Sequence, residues 1–214
     1  MLREWKPKFG IDRFGTLLFF LLFAFLISGV GEERWANVVG AAANVAALVA
    51  GFAATGLTGH RRRMGVLIVI GAVSAVLVSV GETSVPGAVG SFGQALVLGY
   101  VLIAVVRRVL THERVGLPTI AGAIAAYVLI GLVFAWIYFA MLGVLDGPIL
   151  EPDPVGLPAY YSFEVLTTLG FGDITPVHEF VKRVTAIEAI TGQIFLATLV
   201  ARLVSMYGAP ARQE

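Results

Sequence analysis

The sequence predicts an all-α membrane protein with six transmembrane helices and one shorter re-entrant helix. Composition is the first reason. Of 214 residues, 58% are hydrophobic and 14% charged, against about 45–50% and about 25% in soluble domains, and the mean hydropathy is +0.89. Segmentation is the second. Five long apolar stretches, Phe14–Val30, Trp35–Leu57, Met64–Val80, Pro86–Val106 and Leu117–Leu145, are followed by a more polar sixth, Phe180–Tyr207. Each approaches the ~20 residues that carry a helix across ~30 Å of hydrocarbon. The third is the scattering of Gly and Ala without short alternating segments, which favours helices over a β-barrel. The chain has no Cys, which excludes disulfides, thiol chemistry and Cys-ligated metals.

The elements follow in order. Phe14–Val30 has a basic flank (Arg3, Lys6, Lys8, Arg13), but at 17 residues it exceeds a signal-peptide core of about 7–15 residues. It reads as a retained span. The second span carries a small-residue stripe, Ala42, Ala46, Ala50 and Ala54, suited to tight helix packing. The first three spans and Pro86–Val106 contain no Asp, Glu, Lys or Arg; Arg107 and Arg108 stand together at the inner end of the fourth. A voltage sensor works by moving charge through the field, worth about 2.3 kcal/mol per charge per 100 mV. With no charge to move, residues 1–110 read as a four-helix N-terminal membrane domain lacking voltage-sensor charges. Residues 111–214 form a second unit, with an outer helix at about 117–145, a short helix at about 158–167, a glycine-bearing segment at 168–172 and an inner helix at about 180–207.

Orientation follows from the positive-inside bias. With the N-terminus inside, 12 of the 15 Lys and Arg lie on inner segments, and only Arg34, Lys182 and Arg183 lie outside. The outer face instead collects acids, among them Glu32, Glu82, Asp146, Glu151, Asp173 and Glu179. Both termini are therefore expected in the cytoplasm, in a multi-pass protein of the cell membrane. The re-entrant element enters from outside, through a mouth whose charge concentrates cations.

Between the fifth and sixth spans, Gly147–Pro176 is rich in proline and too broken to cross the bilayer. Pro158 suits the first turn of a helix. Beyond that helix, Gly170 and Gly172, two apart, permit positive φ at alternate positions. Such alternation points successive carbonyls one way. Four such chains around an axis make stacked oxygen rings that replace the hydration shell of a cation. Thr167-Thr-Leu-Gly-Phe-Gly-Asp173 resembles the filter signature of potassium channels, usually Thr-Thr-Val-Gly-Tyr-Gly-Asp, and Tyr161-Ser-Phe before it and Ile174-Thr-Pro after it match as well. Over about Ala121–Gly208 the chain is similar to the bacterial two-transmembrane potassium channel family.

That resemblance implies a four-fold homotetramer in the lipid bilayer, each chain meeting three further copies of itself. It implies K+ as the permeant ion, bound at Thr168, Leu169, Gly170, Phe171 and Gly172. Filter support falls to Tyr160, Tyr161, Glu164 and Asp173. Phe171 stands where the family has Tyr and lacks its hydroxyl, so an aromatic cuff of Tyr160, Tyr161 and Phe171 relies on packing. Glu164 and Asp173 correspond to a carboxyl pair of the family and are expected to touch behind the filter and share one proton; the alternative is that Glu164 caps or packs without touching Asp173.

In the sixth span, Gly192 lies twenty residues after Gly172, at the family's hinge position. It serves either bending or close helix packing. Leu196, Val200 and Val204 share one face, which lines either a hydrophobic gate or the contact with the fifth span. Glu188, an intramembrane carboxyl, is either functional by default or ties the sixth span to the back of the short helix. Arg202 is expected to snorkel to the inner interface.

No enzyme constellation is present, and no cofactor and no nucleic-acid partner are expected. His60 and His112, on inner loops, either sense pH or sit as ordinary interfacial residues. His178 near Asp173 and Glu179 offers too few ligands for a metal site. Gly208–Glu214 leaves no room within this sequence for a nucleotide-binding or calcium-sensing domain. A potassium-selective channel is the reading. A non-selective or sodium-conducting channel of the same fold and a secondary transporter are the alternatives, the last expected to show internal repeats.

Overall fold

The fold is seen in a computed structural model, and its description covers residues 14–28, 46–51, 61–81, 84–112, 116–152 and 158–207. Six helices are delimited: α1 Phe14–Ser28, α2 Arg61–Gly81, α3 Val85–Leu110, α4 Leu117–Leu142, α5 Pro158–Leu166 and α6 Glu179–Tyr207. Residues 46–51 are also helical. Two short strands, β1 Leu150–Glu151 and β2 Thr175–Pro176, pair antiparallel, with Leu150 opposite Pro176 and Glu151 opposite Thr175.

Val85–Leu110, Leu117–Leu142 and Glu179–Arg202 are long and apolar enough to cross a membrane, so the chain is a membrane protein. The 26 residues of α3, at about 1.5 Å each, exceed the ~30 Å of hydrocarbon. The apolar parts of α1 and α2, Phe14–Leu26 and Gly65–Gly81, are shorter. The second expected span, Trp35–Leu57, lies outside the described residues except for 46–51.

Proline marks the helix starts. Pro86 and Pro118 fall in the first turns of α3 and α4, and Pro158 begins α5, where a missing N–H removes no helical hydrogen bond. Two ends differ from expectation. The third helix runs past Val106 through Arg107 and Arg108, which lie in its last turn, where cations face the negative end of the helix dipole. The fourth stops at Leu142, because Gly143 closes it with its N–H on Ala140 O at 3.3 Å.

α4 is the central helix. It lies antiparallel along α3: Gly143, past its end, abuts Ser84 O at the start of α3, while Gly122 near its start abuts Val109 near the end of α3 and Phe14 of α1. α2 packs on the far side of α3, where Gln94 Nε2 donates to Gly71 O at 2.9 Å. One core joins Phe14, Leu17, Leu48, Leu98, Val101 and Leu129. A second, at the opposite end of α4, joins Tyr138, Ile149, Leu150, Tyr161, Ile174 and Val181. The second core and the β1–β2 pair clasp the chain on either side of α5 and the loop after it.

Candidate functional site

α5 packs between α4 and α6. Phe163 fits against Gly131, where an added Cβ would come within 2.7 Å of the ring. Its outer side meets Phe25 of α1, with ring centroids 4.5 Å apart. Past Leu166 the N–H groups of Thr167, Thr168 and Leu169 donate to Phe163, Val165 and Glu164 carbonyls at 2.9–3.0 Å. They close the end of α5 and aim the chain away from it.

The next segment alternates. φ is positive at Thr168 (57°), Gly170 (58°) and Gly172 (75°), while Leu169 and Phe171 between them are not left-handed. Gly adopts this conformation without a Cβ penalty. Thr168 is β-branched, and a positive φ there is an uncommon, strained state. All residues from Thr167 to Asp173 are exposed in the single chain. The segment is therefore left uncovered by the rest of its own chain, while Thr168 Oγ1 donates to Thr167 O at 2.6 Å.

The supporting residues divide differently from expectation. Glu164 is buried, and its Oε1 accepts the Gly172 N–H at 3.3 Å. Asp173 Oδ2 accepts from Tyr160 OH at 3.1 Å. No hydrogen bond joins the two carboxyls; each has its own partner on a different side of the loop. Burial first, then the hydrogen bond to Asp173, hold the Tyr160 hydroxyl above the ordinary phenol range, so it stays a donor. The aromatic cuff is not assembled within one chain either. Phe171 is exposed, whereas Tyr161 points to the back of α5, buried edge-on against Tyr138 with centroids 5.1 Å apart.

Behind α5, Glu188 is fully buried. Its Oε2 accepts from Tyr138 OH at 2.7 Å, and its Oε1 lies 2.5 Å from Ser162 Oγ. Tyr161 OH pairs with Thr185 Oγ1 at 2.7 Å. Glu188 thus joins α6 to both α4 and α5, as the tying alternative requires. One helical turn on, Gly192 is buried, and a Cβ there would sit 2.9 Å from Leu166 O and 2.8 Å from Leu166 Cδ1. α6 runs unbroken through it. Tyr127 OH donates to the same Leu166 O at 2.9 Å.

At the other end of α6, Leu196, Val200 and Val204 are exposed in the single chain, so this face does not lie against α4. Arg202 reaches the inner end of the neighbouring helix. Its Nη2 donates to Leu110 O at 2.9 Å and His112 O at 3.2 Å, at the carbonyl end of α3. His112 Nδ1 lies 2.8 Å from Thr119 Oγ1, and His60 lies outside the described residues. His178 Nδ1 accepts the Phe180 N–H at 3.1 Å and so caps α6.

Sequence reasoning missed Ser162, Thr185, Tyr138 and Tyr127. Their shared signal was a hydroxyl inside an apolar or re-entrant helix, where a partner is obligatory.

Residues 123–208 match a family model described as ion channel. The match runs from the first turns of α4 past the end of α6 and includes α5 and the alternating segment. Over that stretch the chain is similar to ion channel domains. No curated protein and no solved structure matches it.

Proposed function

We propose that this chain is one subunit of a potassium-selective channel, a four-fold homotetramer in the plasma membrane with six spans per chain and both termini cytoplasmic. One observation carries the reading: the alternation of left-handed φ at Thr168, Gly170 and Gly172 inside a matched ion channel domain. A backbone alternating in hand turns successive carbonyls toward one side. Four copies around an axis would stack those oxygens, with the Thr168 hydroxyls, into rings that replace water around K+. The exposure of the whole segment and of most of α6 in the single chain supports assembly with further copies. In that assembly the face of Leu196, Val200 and Val204 would look at the axis as a hydrophobic constriction, and Gly192 would be where α6 bends. The chain works without an enzyme activity or cofactor and without intrinsic voltage sensing.

The absent hydroxyl of Phe171 favours a second reading, a less selective cation channel of the same fold. The test is the reversal potential of the reconstituted protein in bilayers with asymmetric K+ and Na+. A reversal at the K+ equilibrium potential supports the proposal. A reversal near zero assigns the second reading, and saturable flux without passive current assigns a transporter.

A further inference from the structure

Glu188 sits where α4, α5 and α6 meet, and the hydrogen atoms around it can be counted. Five oxygen–oxygen contacts hold the cluster: Tyr138 OH to Glu188 Oε2 at 2.7 Å, Tyr161 OH to Thr185 Oγ1 at 2.7 Å, Thr185 Oγ1 to Val181 O at 2.9 Å, Ser162 Oγ to Gly131 O at 2.7 Å and Ser162 Oγ to Glu188 Oε1 at 2.5 Å. Only four hydroxyls are present, those of Tyr138, Tyr161, Thr185 and Ser162, and each supplies one proton. Gly131 O and Val181 O are carbonyls and can only accept.

The assignment is then forced. Val181 O takes the Thr185 proton, so Tyr161 must donate to Thr185. Tyr138 is nearer to Glu188 Oε2 than to Thr185, at 2.7 Å against 3.4 Å, and gives its proton there. Ser162 has one proton and two acceptors. If Gly131 O takes it, Ser162 Oγ and Glu188 Oε1 face each other as bare acceptors. If Glu188 takes it, the 2.7 Å contact with Gly131 O is bare instead. Either way one contact is left without hydrogen, unless Glu188 brings its own.

Charge points the same way. No Lys, Arg or His among the described residues hydrogen-bonds or ion-pairs with Glu188. The ionisable groups facing it are Tyr138 from α4 and Tyr161 from α5, with Tyr127 of α4 farther off. A carboxylate there would be a buried charge without a counter-charge, which is expensive.

We propose that Glu188 works as a neutral carboxylic acid, whose proton, donated from Oε1 to Ser162 Oγ, fastens the helix that carries the filter segment to the inner helix. Ser162 passes its own proton to Gly131 O, so the chain Glu188–Ser162–Gly131 links α6, α5 and α4 in one direction, and Tyr138 closes it at Oε2. Glu188 is a positioning residue: it holds α5, and through α5 the alternating segment, without touching a permeant ion.

Glu188→Gln is the discriminating variant. Its amide oxygen accepts from Tyr138 and its amide N–H donates to Ser162, reproducing the neutral acid with no ionisable group. The reconstituted full chain is measured in three ways: infrared difference spectrum between wild type and variant, thermal unfolding, and K+ flux. The expected result is a protonated-carboxyl C=O band in wild type that shifts in D2O and is missing in E188Q, with E188Q melting and conducting as wild type does. Glu188→Ala removes both the donor to Ser162 Oγ and the 2.7 Å acceptor of Tyr138 and should lower flux on the order of tenfold. Absence of the band, or E188Q failing as badly as E188A, overturns the proposal. If E188A does not fold, the spectrum and E188Q still decide. The spectral and melting arms hold whatever ion the pore conducts, so their failure is distinct from failure of the channel reading.

Discussion

Replacing Gly192 with Ala separates the two roles open to that residue. The new Cβ would lie 2.8 Å from Leu166 Cδ1 and 2.9 Å from Leu166 O. The side-chain atom can rotate away. The carbonyl oxygen cannot, because it ends α5 and also accepts from Tyr127 at 2.9 Å. α6 must therefore back away from α5 by several tenths of an ångström. Overpacking of this kind costs about 1–3 kcal/mol. Ala regains about 1 kcal/mol of helix propensity over Gly, so the net expectation is a loss of up to ~2 kcal/mol per chain. Thermal unfolding of the reconstituted protein, read beside single-channel open probability, measures it. The expected result is a lower melting temperature, with altered opening as a consequence of the shifted filter helix. A variant that is more stable than wild type, with opening changed through stiffness alone, would refute the packing argument and leave the hinge.

Three further outcomes are expected. Gly170→Ala or Gly172→Ala places a Cβ at φ of 58° or 75°, a penalty of roughly 1–2 kcal/mol per residue; K+ flux should be lost with membrane insertion intact, and normal flux would remove the filter assignment. Neutralising Arg107 and Arg108, both in the last turn of α3, should leave the conductance–voltage slope unchanged, and a large loss of slope would restore a sensor. In double-mutant cycles on inactivation, Tyr160 with Asp173 should couple more strongly than Glu164 with Asp173, because only the first pair is hydrogen-bonded; the reverse order would bring the two carboxyls back together.

Local chemistry was legible in the sequence, and long-range pairing was not. Gly170 and Gly172 announce a backbone of alternating hand because few other residues accept it. Thr168 does not announce its positive φ, since its β-branch argues against one. Glu188 stood out as a carboxyl in an apolar span, but its partners lie 26 and 50 residues away, and no period in the sequence connects them. Tyr161 was grouped with Phe171 on the family resemblance, yet the helix turns Tyr161 about 100° from Tyr160, onto Thr185 and Tyr138. Arg202 stood out as a basic group near a span end. Its carbonyl partners, about ninety residues earlier, become visible only once α3 and α6 are seen to finish at the same level.

That last contact has a mechanical meaning. Arg202 lies between Val200 and Val204, on the stretch of α6 that would have to move if those residues form the proposed constriction. Its guanidinium grips the spent carbonyl end of α3, and hydrogen bonds from a charged donor are worth about 1.5–3 kcal/mol each. An outward swing of the inner helix must either release that grip or drag α3 with it, and α2 rides on α3 through Gln94 and Gly71. On the channel reading, the N-terminal helices would then act as an anchored post on the lever arm of α6, and their drag in the lipid would add to the work of moving it.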